Sequence, residues 1–398
     1  MAQLMRYHKY PTASVRVQTF TCHSNETAVA LSMIGGIYDW DLMPLEPGFS
    51  SSNAELEMVG RICYDAGVAM RMQYTAGGSA AFGGFEHDPL KKVFRYANAE
   101  SYITTDTLGD DVIKNAILAN LDAGFPVLLG IVAPNSSGQD EGHSIVADGY
   151  GYEDETLWCH LNFGWSGSCN LWYALPNIPA SGYSFSIVSS VVYNVFPKGT
   201  GQLVTGRVTD EDGNALSNAT VTASYRLGWS TTKVTTNVTT SATGIYAFRL
   251  PVSSFDGQRT FELSAKYGAG ATKSSITATA SSSSSPSVDF ENRSYSYSKL
   301  SVGNSWGNNL VIVAAAGTDA AISEFGAAKD TGGIDGLCLS FTGTAGAKYI
   351  VEWKDSLTNS TWNVWTNALL GTEGELSVFL PFDATEAQSR FYRVRSAR

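Results

Sequence analysis

The chain has 398 residues, of which 43% are hydrophobic and 12% aromatic, and so much aromatic surface needs an interior, which excludes a disordered protein. A formal net charge of -11 leaves no basic cluster to displace phosphate counterions, so nucleic acid and anionic membranes are not expected partners. At ~150 residues per domain, the length suggests two or three domains. No apolar run predicts a membrane span, and the first residues lack the pattern of a signal peptide.

Helix and strand signals mix in the first half of the chain, which predicts an α+β domain. Ser52 and Glu55 form a capping box, and apolar residues then recur at helical spacing with Cys63 on the apolar face. A second helix is predicted over residues 110–122, and a buried strand over residues 127–132.

The stretch from residue 141 to 168 predicts a β-hairpin with an acidic turn at residues 153–155. Counting back from that turn puts His143 opposite residues 162–165, within about two residues. Asn162 and Trp165 should therefore lie beside His143.

These residue types suggest thiol chemistry. A thiol nucleophile needs an imidazole to take its proton, and the imidazole needs a group that holds its tautomer. His143 is the candidate base. Asn162 could hold the ring or cap a turn, since Asn is common in turns. Trp165 could shield the ring from water or serve only as packing.

Four motifs resemble the streptopain family of papain-like cysteine peptidases. GHSIVADGY followed by HLNFGW is similar to the family's histidine and tryptophan motifs, although Phe163 stands where the family often has tryptophan. AQLMRYHKYP resembles the segment that directly follows the family nucleophile, usually GCVATAxAQxMxYxxYP, and YDWDLMP and DAGVAMRMQYTAGGSAA also recur. The resemblance covers residues 1–197. It implies a papain-like fold, a secreted or cell-surface cysteine peptidase, protein or peptide substrates, and catalytic roles for His143, Asn162 and Trp165.

One departure concerns the nucleophile itself. Aligned on the family pattern, Met1 falls five residues after the expected cysteine, so we expect the nucleophile to lie upstream of Met1 and this chain as given to be inactive. The favoured hypothesis is a secreted cysteine endopeptidase. An alternative is a catalytically dead homologue that binds proteins or glycans at a surface, and a weaker one is an amidase or transglutaminase-like enzyme on the same site.

The cysteines are few and are not spaced as paired metal clamps, so we predict no metal site; they are Cys22, Cys63, Cys159, Cys169 and Cys338. No glycine-rich nucleotide loop occurs, and no cofactor is predicted. Cys159 is expected to face the core and point away from His143. Cys159 and Cys169 could form a disulfide or remain two thiols.

The remaining histidines suggest no second site. His160 is predicted to be an exposed strand residue, and His8 and His87 to be surface residues without partners.

The second half of the chain changes to Thr, Ser, Val and Gly with alternating apolar residues, which predicts two all-β sandwiches at residues 201–293 and 300–398. The pattern over residues 206–223 resembles a carboxypeptidase regulatory-like, transthyretin-like domain, which implies a spacer or adhesive role. The last domain resembles immunoglobulin-like domains. Serine-rich residues 272–287 predict an exposed link or a loose edge strand.

Three tryptophans of the last domain have two interpretations. Trp353, Trp362 and Trp365 could line a carbohydrate surface, or could pack in a half-buried sheet, which is the commoner outcome.

Overall fold

The computed structural model describes most of the chain, namely residues 1–104, 111–134, 140–227, 231–252, 257–268, 270–272, 274–282, 285–290, 294–296, 303–313, 322–344, 347–356, 361–366, 369–370, 374–381 and 390–396. These residues form two compact units. The first comprises Met1–Thr205, Ala247–Arg259 and Thr279–Trp306, and the second comprises Gly206–Tyr246, Thr260–Ala278 and Gly307–Arg398.

Helices and strands alternate irregularly through the first 196 residues. The helices are α1 (Ala2–His8), α2 (Asn53–Ala69), α3 (His87–Lys92) and α4 (Asp111–Asp122), with a 3-10 turn at Trp40–Leu42. The strands are β1 (Thr19–Ser24), β2 (Thr27–Ser32), β3 (Gln73–Thr75), β4 (Gly78–Ala80), β5 (Asn98–Ile103), β6 (Val127–Ala133), β7 (Glu141–Glu153), β8 (Thr156–Asn162), β9 (Leu171–Ala174), β10 (Ile178–Ala180), β11 (Tyr183–Phe185) and β12 (Ile187–Phe196).

A six-stranded sheet has the order β5-β12-β6-β7-β8-β9, and its central strands β12 and β6 and the middle of β7 are buried on both faces. Leu128, Val146 and Val192 lie opposite one another and pack in the core that contains α1 and α2. Their chain neighbours Leu129 and Ile145 pack in the other core, with α4. Because side chains alternate along a strand, these two cores fix the register of β7 and hence the face on which His143 lies.

The predicted elements of this half are largely confirmed. Ser52 and Glu55 form the capping box that begins α2, and α4 covers the predicted second helix from Asp111, with Asp110 outside the described residues. The expected place of Cys63 was wrong: it is exposed, because the buried face of α2 follows Ile62, Asp65, Ala66 and Ala69.

Asp65 is a buried carboxylate that fixes a loop of the first unit. It accepts hydrogen bonds from the backbone N–H groups of Ile34 (2.6 Å) and Gly35 (2.9 Å) and from the Tyr38 hydroxyl (2.6 Å). Burial, and then the bond to the Asp65 carboxylate, raise the pKa of Tyr38. Tyr38 begins the YDWDLMP motif, so that motif has a structural role here.

The expectation that His8 and His87 are surface residues was wrong. His87 is only 4% exposed, and His8 packs against Tyr96, whose hydroxyl lies 3.2 Å from the His8 Nδ1. Burial lowers the pKa of both histidines to about 4, since a desolvated imidazole resists protonation. Both are therefore neutral near pH 7.

A network of buried amides lies at the end of the six-stranded sheet. The amide of Asn194 donates to Gln202 and to Asn304, at 2.9 Å each, and its backbone N–H donates to Asn120 at 2.9 Å. Gln202 in turn donates to Glu100 at 2.9 Å. Asn304 is distant in sequence, so the first unit is completed by a late segment of the chain.

Residues after 201 are almost entirely β-structure, in agreement with the predicted fold class. The strands are β13 (Gln202–Thr209), β14 (Thr220–Arg226), β15 (Lys233–Thr239), β16 (Ile245–Leu250), β17 (Gln258–Tyr267), β18 (Gly270–Thr272), β19 (Ile276–Ser281), β20 (Ser287–Asp289), β21 (Ser294–Ser296), β22 (Leu310–Val313), β23 (Ile322–Lys329), β24 (Asp335–Gly343), β25 (Lys348–Lys354), β26 (Asn363–Val364), β27 (Leu369–Leu370), β28 (Gly374–Pro381) and β29 (Phe391–Ser396).

Part of the serine-rich segment is a paired strand. β19 pairs with β17 and buries Ala278 and Ala280, so this part of the segment is a strand, the second of the two predicted alternatives, and not an exposed link. Residues 283–284 of the same segment lie outside the described residues. The domain boundaries at 201–293 and 300–398 stay predictions.

The described residues between 322 and 396 form two small sheets with a shared core. One sheet has the order β23-β24-β28, and in the other β25 pairs with β26, β27 and β29. Their shared core contains Phe341, Tyr349 and Val351. Trp365 packs against this core, which agrees with the packing interpretation of that residue.

The other two tryptophans are covered by cations. The Arg390 guanidinium lies 3.7 Å from the centre of the Trp353 ring, and Lys354 and Arg393 lie 4.6 and 4.3 Å from that of Trp362. Such contacts stabilise a sheet surface.

We predict that Asp65→Ala destabilises the protein by about 3 kcal/mol or more, because it leaves buried donors without their charged acceptor. Tyr38→Phe removes one of the three bonds and should cost about 1 kcal/mol. Urea unfolding of both variants measures this difference. An Asp65→Ala variant no less stable than Tyr38→Phe would contradict the role assigned to Asp65.

We also predict a loss of stability as the pH falls from 6.5 to 4. In that window the unfolded chain binds a proton at His8 that the folded chain excludes, so the free energy of unfolding falls by up to about 1.4 kcal/mol per pH unit for each such histidine. His8→Phe should reduce this slope. Tyr96→Phe, which removes the hydrogen-bond partner but keeps the histidine, should retain it.

Urea unfolding at several pH values tests this prediction. Burial raises the pKa of Glu100, so this residue contributes a change of stability with pH of the opposite sign. Glu100 is present in both proteins, so its contribution cancels when the slope of His8→Phe is compared with that of the wild type. Equal slopes in His8→Phe and the wild type would show that His8 is not the group that titrates.

Candidate active site

His143 lies on β7, opposite Ile131 of β6, and just beyond the last residue pair of the β7–β8 hairpin. That hairpin turns between Glu153 and Thr156, as predicted. The Nε2 atom of His143 lies 2.9 Å from the carbonyl oxygen of Phe163. A carbonyl only accepts hydrogen bonds, so this bond requires the proton on Nε2 and leaves Nδ1 as the basic nitrogen.

The peptide group between Phe163 and Gly164 is held from its other side by Asn162. The Gly164 N–H donates to the Asn162 Oδ1 at 3.0 Å, the geometry of an Asx turn. Among the described residues, the ring of His143 is bound by the Phe163 carbonyl and not by the Asn162 amide. Asn162 thus caps a turn, and that same turn carries the acceptor for the histidine.

Two aromatic rings form a wall beside the histidine. The Trp165 ring centre lies 4.7 Å from that of His143, and the Phe163 ring stacks on His143 at 6.0 Å with 19° between the planes. Phe163 is 1% exposed, and Trp165 packs partly buried against the same core. The wall restricts rotation of the imidazole and keeps water from one of its faces.

Glycines let this loop turn tightly under the site. Gly164 has a φ of 72° and Gly167 a φ of 85°, in the left-handed region that side chains disfavour. The Phe163 N–H donates to the Asn170 side chain at 3.0 Å, so the far end of the loop is also fixed.

The first turn of α1 reaches the same loop. The Gln3 Nε2 donates to the Asn162 Oδ1 at 2.8 Å. Leu4 and Met5 anchor this helix in the core at 1% and 0% exposure. The N-terminal end of α1 therefore lies beside the loop of residues 162–170. We call this segment the histidine loop, because it carries the carbonyl that binds His143.

Two of the cysteines, Cys22 and Cys159, are too deeply buried to serve as nucleophiles. Cys22 is buried in the core of α1 and α2, and burial raises its pKa. Cys159 is buried too, and burial raises its pKa to about 12. It packs with Leu161 in the core of Ile145 and Ala147, so the prediction that it points to the opposite side from His143 was wrong.

The other thiols add no cross-link or metal site. All five cysteines are free, including Cys159 and Cys169. Within the described ranges, no group of three or more His, Cys, Asp or Glu residues could hold a metal ion.

Sequence reasoning missed two parts of the site, namely the Phe163 carbonyl and Gln3. The Asn162–Phe163–Gly164 order is a signal for an Asx turn and could have indicated the first. Nothing in the spacing of Gln3 indicated the second.

Two parts of the chain are similar to known protein families. Residues 1–173 match the model of the Peptidase C10 family. The N-terminal region is thus similar to the streptopain-type cysteine peptidases. Residues 203–291 match the carboxypeptidase regulatory-like domain, as the sequence pattern predicted.

Individual relatives cover only part of the chain. Streptopain of Streptococcus pyogenes serotype M28 is 26% identical over 173 residues, which is 42% of this chain and 41% of that protein. Streptopain of serotype M1 matches at the same 26%. The chain thus spans about two fifths of the length of these curated relatives.

One solved structure with similarity is the active wild-type interpain A cysteine protease of Prevotella intermedia. It is 28% identical, and the match covers 49% of this chain and 80% of that one at a TM-score of 0.44. No helix in the described part of the chain is long and apolar enough to cross a membrane.

We predict that Gly164→Ala destabilises the protein by about 1–2 kcal/mol, because an added Cβ is strained at positive φ. Gly151→Ala is the matched control, since Gly151 lies on β7 with nothing within 4 Å of an added Cβ. Thermal unfolding of both variants checks the prediction. Equal effects of the two substitutions would contradict it.

Proposed function

We propose that the complete protein is a secreted or cell-surface cysteine endopeptidase that cleaves protein substrates, with His143 as its general base. The observation that carries the proposal is the bond from His143 Nε2 to the Phe163 carbonyl, within a region that matches Peptidase C10. That bond leaves Nδ1 unprotonated and able to take a thiol proton.

The chemistry follows from this tautomer. A thiol supplied by the segment before Met1 gives its proton to His143 Nδ1, and the thiolate attacks the peptide carbonyl carbon. The tetrahedral intermediate collapses to a thioester as the imidazolium protonates the leaving amine. Water, activated by the neutral imidazole, then hydrolyses the thioester and restores the thiol.

The remaining candidate residues support His143. Asn162 holds the Phe163–Gly164 peptide, so it orients the histidine through one peptide group. The Trp165 ring lies tilted against the imidazole, with 4.7 Å between the ring centres, and would shield that side of it from water. By resemblance to the family pattern, the thiol would lie five residues before Met1, on a helix that continues as α1.

The N-terminal extension Gly-Cys-Val-Ala-Thr-Ala, fused before Met1, tests this arrangement directly. We predict that iodoacetamide alkylates the added cysteine at pH 6 about tenfold or more faster than in the same protein with His143→Ala, because an imidazolium partner lowers the pKa of a thiol. His160→Ala is the control, since that histidine is paired with Asp148 on the outside of the hairpin. It should leave the rate unchanged.

Peptide hydrolysis gives a second readout. The natural protein with its upstream segment should cleave casein, and iodoacetamide or His143→Ala should abolish that cleavage. The 398-residue chain should show no thiol-dependent cleavage. Alkylation rates that do not depend on His143, or iodoacetamide-sensitive cleavage by the 398-residue chain, would overturn the proposal.

A further inference from the structure

A continuous set of hydrogen bonds joins α1 to the imidazole of His143. Gln3 Nε2 donates to Asn162 Oδ1 at 2.8 Å, and Gly164 N–H donates to the same oxygen at 3.0 Å. The carbonyl of the Phe163–Gly164 peptide accepts from His143 Nε2 at 2.9 Å. Gln3 is thus two hydrogen-bonded groups away from the candidate base.

These hydrogen bonds pass through the planar peptide between Phe163 and Gly164, so fixing one side of the peptide also fixes the other. In a trans peptide the N–H and the C=O point in opposite directions. Because Asn162 fixes the N–H of Gly164, it also fixes the direction in which the Phe163 carbonyl faces His143. A rotation of the Asn162 amide would release that peptide plane.

Asn162 has only one oxygen with which to hold the Gly164 N–H, and its amide could rotate to present NH2 instead. A donor on the other side of that oxygen selects the correct rotamer and orientation. Gln3 supplies this donor, and its own Oε1 lies 3.8 Å from where a Cβ on Gly164 would stand. The glutamine therefore lies directly against the turn.

We infer that Gln3 is a positioning residue for His143: it fixes the Asn162 oxygen and, through the Phe163–Gly164 peptide, the tautomer of the imidazole. The inference rests on the proposed function for its catalytic meaning. Gln3 lies on the helix that the family pattern assigns to the nucleophile, so the same bond sets the histidine loop relative to that helix.

If the bond between Gln3 and Asn162 only stabilised the fold, its loss would not change the tautomer of His143. Gln3 is exposed, and α1 is held by the buried Leu4 and Met5, so a general stabilising contact there would have little effect on His143. Tyr7 offers a matched comparison from the same helix. Its exposed hydroxyl donates to the Gly124 carbonyl at 2.6 Å, in a loop that does not carry the histidine acceptor.

The test uses the 398-residue chain labelled with 15N-histidine, with His143 signals assigned through His143→Ala. Long-range 1H–15N spectra at pH 8 measure the ratio of the Nε2–H to the Nδ1–H tautomer. Gln3→Met keeps the length of the side chain and removes the donor, and we expect it to lower that ratio by about two- to tenfold, the range for loss of one hydrogen bond. Tyr7→Phe should leave the ratio unchanged.

A double variant tests whether Gln3 acts on His143 through Asn162. Asn162→Ala should lower the ratio at least as much as Gln3→Met, and adding Gln3→Met to Asn162→Ala should have no further effect. A ratio unchanged in Gln3→Met, or changed equally by Tyr7→Phe, overturns the inference. So does an effect of Gln3→Met that persists in the Asn162→Ala background.

This readout separates the inference from the proposed function. The tautomer ratio is measured without substrate or nucleophile, so it responds to Gln3 whether or not the complete protein cleaves peptides. Failure of the alkylation test with a normal Gln3 effect would reject the peptidase proposal alone, and the reverse result would reject the positioning role alone.

Discussion

The register of β7 is the constraint on which the candidate site depends. Leu128 and Val146 face one core while Leu129 and Ile145 face the other, so a slip of one residue would place every one of them on the wrong side. Burial on both faces therefore fixes the register of β7 more firmly than burial on one face would. His143 takes its orientation from packing several residues away.

Packing of the sheet sets the position of His143, and hydrogen bonds in the histidine loop set its tautomer. The sheet brings His143 to the end of β8, but its tautomer depends on the peptide between Phe163 and Gly164. That peptide is fixed by a side chain of its own turn, which is in turn contacted by a helix distant in sequence. The Phe163 carbonyl oxygen is thus oriented both by its own turn and by a contact from α1.

Much of this arrangement could be predicted from the sequence, and the exceptions share a physical cause. The α2 capping box, the strand before His143 and the hairpin turn follow from local patterns, and all are present. The acceptor of His143 could not be predicted from residue type, because every residue offers a carbonyl. Cys63 and His8 were misplaced because tertiary partners decide which part of a helix is buried.

The same reasoning applies to Asp65. A carboxylate on a helix is normally a solvated residue, and only the fold shows that two backbone N–H groups and a tyrosine hydroxyl converge on it. Family motifs such as YDWDLMP can thus record packing requirements as strongly as catalytic ones.

Asn304 has a consequence for the order of events during synthesis. Its side chain accepts from Asn194 and from the Leu203 N–H inside the first unit, yet the ribosome makes it long after β12. Until Asn304 has been made, one member of this native amide network is missing from the chain. A chain assembled in this way acquires all the contacts of this network only after about half of its β-rich tail has been translated.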